Sequence, residues 1–320
     1  MELILARSDG TEERVLNHDI SIDVGFTNDF ELTMPYEEWD GEVTFGKMIY
    51  IPGTEYGGII GEIEGNTELD VIYVRGYVWR GYIQKRIIVP PDGQSHKVVS
   101  GELNNIIREI IGDVFFVPAI SSGGYASWQF ERYTDALTGL SEMLASVGYR
   151  LRIVYNQLAK RIEVDAVPVL LYGNVEISQD GAITFTSTDN RRGVNHLLCL
   201  GTGQNEERIV INLYADGAGN ISETQTFYGI DEITEVYEYS SADRAALLEG
   251  GIKRFKEVMN TKSFSAKMSE SDIDVDLSIG DSITGRDYIT GTVVTKPITD
   301  KTAEVADGKI TVTYKIEGQT

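Results

Sequence analysis

The stretch Ser271-Asp272-Ile273-Asp274-Val275-Asp276-Leu277 carries the most regularly spaced ionisable side chains of this sequence. As an extended strand it puts Asp272, Asp274 and Asp276 on one face and Ile273, Val275 and Leu277 on the other. Three carboxylates on one face suit a solvated surface, an acidic row lining a channel, or a calcium site. Calcium cages, however, are usually built in loops that add glycine and backbone carbonyls. Glu62 and Glu64 flank Ile63 and repeat the pattern on a smaller scale, with the same readings.

Other constellations fall short of chemistry. His18, His96 and His196 are far apart and belong to no HExxH pattern, so they predict surface or turn histidines and no zinc site. A GxSxG elbow and a GxxxxGK[ST] loop are both missing from the sequence. Gly201-Thr202-Gly203 follows the strand-like LLCL, but a dinucleotide loop needs a third glycine and a helix, and RIVINLY reads as β. A tight turn is expected there. Trp39, Trp79 and Trp128 stand among seventeen tyrosines, and a strand over 71–83 places Tyr73, Tyr77 and Trp79 on one face. Such a row serves core packing or a subunit interface, with sugar stacking as the alternative. Cys199, the single cysteine, lies in the apolar run VNHLLCL and is expected to be buried and inert. No catalytic residue, cofactor or metal is expected, and the chain reads as no enzyme.

These residues sit on a mainly β chain. Ile20, Ile22, Val24 and Phe26 alternate with polar neighbours, and further strands are expected over 43–51, 59–64 and 71–83, so residues 1–95 predict an antiparallel barrel or sandwich. Helices are expected near 100–112, opened by Ser100, and near 134–147, capped by Thr134; with a hairpin of Leu151 and Ile153 against Ile162 and Val164 they make an α+β insert over 96–168. Residues 169–320 return to β, with Asp180-Gly181, Asp216-Gly217 and Asp307-Gly308 as hairpin turns. A helix near 242–259, capped by Ser241, interrupts them. Its Gly250-Gly251 pair weakens it but permits a close helix-sheet or intersubunit contact.

Fifty acidic against twenty-eight basic residues give a formal charge of −22, which disfavours nucleic-acid binding. Either solubility or a non-adhesive wall for a passing polyanion would use such a field, and Arg75, Arg80, Lys85 and Arg86 are the candidates for contacts to acidic neighbours. No apolar run reaches the roughly 18 residues of a membrane span. Glu2 stands where a signal peptide would be basic, so export by that route is not expected.

IPGTEYGGIIGEIE, VRGYVWRGYIQKRIIVPP and VSGELNNIIREII, in that order, resemble the phage tail and baseplate hub proteins of siphovirus tails, contractile tails and phage tail-like particles. The likeness is densest over 20–112 and returns in GDSITGRDYITGTVVTKPITDKTAEVADGKITVTYKIEG. It implies tandem tube-type β-barrels decorated by a few helices, and a homotrimeric ring joining the sixfold tail tube to the threefold spike or tip. Implied partners are the tube protein, the spike or tip protein and other baseplate proteins, with DNA only as passing cargo and no membrane. The implied location is a virion baseplate or tail-like particle, assembled in the bacterial host cytoplasm. The alternatives are a carbohydrate-binding or cell-wall-degrading tail-tip protein and a soluble β-rich adaptor unrelated to tails.

Overall fold

In the computed structural model, residues 2–177, 184–217, 219–259, 261–269, 277–306 and 309–316 are described. Strand takes 43% and helix 19%, so alternation rather than helical spacing sets the architecture, as predicted. In chain order the strands are β1 (Leu3–Ala6), β2 (Glu12–Leu16), β3 (Asp19–Val24), β4 (Asp29–Pro35), β5 (Met48–Tyr50), β6 (Gly57–Asn66) and β7 (Val71–Val78). Next come α1 (Trp79–Gln84), β8 (Val98–Glu102), α2 (Leu103–Ile111), β9 (Tyr125–Gln129), α3 (Ala136–Ser146), β10 (Tyr149–Asn156), β11 (Arg161–Pro168) and β12 (Leu171–Ile177). The remainder is β13 (Thr184–Asn190), β14 (His196–Leu200), β15 (Val210–Ala215), β16 (Ile221–Ser222), β17 (Thr234–Glu238), α4 (Arg244–Val258), β18 (Thr261–Ser269), β19 (Ser282–Arg286), β20 (Val293–Pro297), β21 (Asp300–Ala306) and β22 (Lys309–Ile316).

Two compact units result. The first combines Met1–Thr184 with Ala266–Gly285 and Thr295–Glu317. Its main sheet is antiparallel in the order β18-β22-β21-β3-β4-β7-β6-β5-β1-β2 and curls as a half-barrel. Ile22 of β3 lies opposite Phe30 of β4 on one side and Ala303 of β21 on the other, so the C-terminal hairpin extends the sheet that the N-terminal strands begin. Helices α1, α2 and α3, the β8-β9 pair and the β10-β11 hairpin share a core with that sheet, in which Trp79, Leu103, Ile107, Leu140 and Val164 join Ile4 and Tyr50.

Helix starts depend on which side chain reaches the free amide three residues on. Glu102 accepts from the Asn105 amide at 3.0 Å, Asp135 from Thr138 at 2.9 Å and Asp243 from Ala246 at 2.9 Å. These carboxylates, and not Ser100, Thr134 and Ser241, are the N-caps; Ser100 is instead paired with Ser127 in the β8-β9 ladder. Asp135→Ala is expected to cost about 1 kcal/mol in urea unfolding, and no measurable loss would contradict the assigned cap.

The strand expected over 71–83 ends at Val78, and Trp79 opens α1. Gly81 lets this turn close against the turn before β4: a Cβ there would stand 2.6 Å from the Asn28 carbonyl oxygen. Trp79 therefore enters the core, stacking on Tyr155 at 6.3 Å, and does not share a strand face with Tyr73 and Tyr77.

Phe185–Ser265 and Arg286–Val294 belong to the second unit. Its sheet runs β16-β15-β14-β17, with β17 parallel to β14. Leu197, Cys199, Ile211 and Leu213 project from one face onto Leu247 and Phe255 of α4. Gly250 and Gly251 serve this helix-sheet contact: Cβ atoms there would approach the Tyr237 hydroxyl and the Cys199 sulfur, each at 2.7 Å. The hairpin expected at Asp216-Gly217 is present, closed by Asp216 and Asn220, with Gly219 as its left-handed residue at φ 88°. Asp180-Gly181 and Asp307-Gly308 lie outside the described residues.

Candidate functional site

Glu62 and Glu64 point the same way from β6, as the alternation required, but they do not form a purely acidic row. Arg75 of β7 sits between them and donates to Glu62 at 2.8 Å, to Glu64 at 2.5 Å and to Glu31 of β4 at 2.6 Å. Three carboxylates share one guanidinium, so the patch keeps a surplus of negative charge while Arg75 is held above the usual arginine range by its bonds to Glu64 and Glu31. Arg75 thus contacts acidic groups of its own chain. Asp272, Asp274 and Asp276 lie outside the described residues.

Arg80, a candidate for contacts to acidic neighbours, is buried, with its side chain 5% exposed. It donates to Glu55 at 3.1 Å and to the Leu151 carbonyl at 3.2 Å. Lys301 of β21, 3% exposed, meets the other Glu55 oxygen at 2.9 Å and donates to the Leu277 carbonyl at 2.9 Å. Burial pushes the Glu55 carboxyl up, but the charges of Lys301 and Arg80 outweigh it and bring the pKa down to about 2. The triad ties the loop before β6 to α1, to β10 and to the C-terminal hairpin. One signal in the sequence marked it: Lys301 occupies an inward position of β21, in step with Ala303 and Val305.

Lys85, by contrast, is exposed and lies over the Tyr77 ring at 4.7 Å, and Arg86 is exposed. A second ion pair, half-buried Arg150 with buried Asp281 at 2.6 Å, fixes β10 to the turn before β19, where Asp281 also accepts from the Leu170 amide.

The histidines are dispersed. His18 meets Glu38, His96 meets the Phe130 carbonyl, and His196 stacks on Tyr214 and meets Glu232 at 2.7 Å. Among the described residues no group of three His, Cys, Asp or Glu side chains could hold a metal ion. Gly201-Thr202-Gly203 is a turn leading from β14 towards β15: Thr202 donates to the Ala242 carbonyl, and a side chain at Gly203 would strike the Glu207 carbonyl at 2.4 Å. Cys199 is fully buried, and burial raises its thiol to about 11, which keeps it protonated and unreactive.

No protein-family model matches the sequence, and no curated protein sequence matches it. Solved structures do. The 43 kDa tail protein of prophage MuSo2 from Shewanella oneidensis superposes with a TM-score of 0.58 at 13% identity, covering 99% of this chain and 98% of that one. The chain has a phage tail-protein fold. The P2 virion baseplate in its activated conformation aligns with a TM-score of 0.53 at 11% identity over 99% and 98% of the two chains. A tail protein from Neisseria meningitidis MC58 aligns at 0.51 and 12% identity over 99% and 97%. At these identities the likeness is one of fold, with few side chains in common.

Proposed function

We propose that this chain is a non-enzymatic structural component of a phage tail or phage tail-like particle, working as the hub that joins tube to spike. The observation that carries the reading is the two-way coverage: the tail-protein fold accounts for 99% of this chain and 98% of the MuSo2 tail protein, so each is spanned nearly end to end. Hub work is geometric. Three chains that each present two similar surfaces would offer six near-equivalent contacts to a tube and keep threefold symmetry toward a spike. Partners on this reading are two further copies, the tube protein, the spike or tip protein and other baseplate proteins, with assembly in the host cytoplasm.

Any DNA would pass as cargo through a channel lined by Glu62 and Glu64 and by Asp272, Asp274 and Asp276, whose surplus charge repels a polyanion. The Glu55–Arg80–Lys301 triad and the Arg150–Asp281 pair suit a structural role, since they connect segments distant in the chain. Among the described residues no helix is long and apolar enough to cross a membrane. Gold-labelled antibody against the chain, applied to purified particles, is expected to mark one end of each tail. Label along the whole tube, or none on particles, would contradict the hub.

A further inference from the structure

We propose that the open cleft between α2, the β10-β11 hairpin and the first strands is a docking site for an acidic protein segment that carries an aromatic or aliphatic side chain. The cleft has a volume of about 640 Å³, within the range of natural binding clefts. Its floor is apolar, with Met48, Ile59, Phe115 and Ile162 among the lining residues. The charge of its lining is opposite in sign to that of the molecule: Arg108, Lys160 and Arg161 line it with a single carboxylate, Asp113, in a chain whose acidic residues outnumber its basic ones by 50 to 28.

Two of these cations are hydrogen-bonded to neutral oxygens. Arg108 donates to the Asn105 amide oxygen and to the Val117 and Pro118 carbonyls, while Lys160 reaches the Thr11 hydroxyl at 3.3 Å. Arg161 is paired with Glu163 at 2.9 Å, and its guanidinium carbon lies 3.4 Å from the centre of the Phe116 ring. The platform is rigid, because Phe116 is bonded to β11 on both sides, its amide to the Ile162 carbonyl and its carbonyl to the Val164 amide. Phe116 nevertheless remains 41% exposed.

An apolar floor beneath cations selects a segment with an apolar residue between carboxylates. A free phosphate would leave the floor uncovered, and a nucleic acid would meet the repulsion of the whole molecule. The site does not depend on the tail reading.

The test is fluorescence anisotropy with the labelled peptide Gly-Glu-Asp-Phe-Glu-Asp-Gly at about 0.15 M salt, where the Debye length is about 8 Å. Saturable binding on the order of 10–100 μM is expected, with Arg161→Glu and Phe116→Ser each weakening it about tenfold. Arg161 is exposed, so its variant keeps the native far-ultraviolet dichroism. No saturation at about 1 mM, equal binding of the matching lysine peptide, or an unchanged affinity in Arg161→Glu overturns the proposal. Self-association of the wild type that Arg161→Glu abolishes and the peptide does not displace would assign the cleft to a second copy instead.

Discussion

Glu55→Gln is expected to lose about 3–5 kcal/mol of stability at neutral pH, because it strands two buried cations without their counter-charge. Arg80 and Lys301 are 5% and 3% exposed, so water cannot replace the carboxylate. The same carboxylate sets an acid limb. Its pKa falls from an ordinary 4.5 to about 2 on folding, so the stabilisation is complete above about pH 4.5 and is lost as pH falls through 2. A shift of that size corresponds to roughly 3 kcal/mol. Urea unfolding of wild type and Glu55→Gln between pH 2 and 7 should show the gap between them closing on the acid side. A gap that stays constant over that range would remove Glu55 as the source.

Gly76→Ala is expected to cost about 3 kcal/mol or more, through overpacking against a backbone that cannot move. A Cβ on Gly76 would stand 1.9 Å from the Ile59 carbonyl oxygen and 2.9 Å from the Phe30 ring, in the middle of the β4-β7-β6 ladder. Either β6 shifts its register or the ladder opens. Gly61 in the same hairpin is the control, since nothing lies within 4 Å of its Cβ position, and Gly61→Ala should leave the midpoint of urea unfolding nearly unchanged. Equal losses in the two variants would mean that strand propensity, and not the close approach, decides the effect.

Elements governed by local periodicity were legible in the sequence. Alternation at Ile20, Ile22 and Val24 and the apolar stripes of α2, α3 and α4 reappear close to their expected bounds, because both patterns report which face is buried. Long-range pairing was not legible. Nothing around Ile22 names Ala303 as its neighbour, since register between distant strands is set by the core they share. Trp79 was misplaced because VRGYVWRGYI alternates as a strand would; the helical turn there is imposed by the approach of Gly81 to Asn28 and by the burial of Arg80 against Glu55.

Of the candidate site, Glu62 and Glu64 were legible as a same-face pair. Their shared guanidinium was not, because Arg75 reaches them across the ladder, in a register set by the bulge between Ile60 and Glu62. Lys301 was the readable clue: a charge in step with buried alanine and valine needs a partner, here Glu55. The tail-protein fold itself was carried by the order of its hairpins and turns, which the resemblance over 20–112 captured although identity to the aligned structures is only 11–13%.

The most direct test of the hub reading is cryo-electron microscopy of the assembled particle. Three copies of this chain in one ring at the junction of tube and spike are expected, with Glu62 and Glu64 toward the axis and each contact burying well above about 1,000 Å². Six copies, a single copy, or a position away from that junction would contradict it.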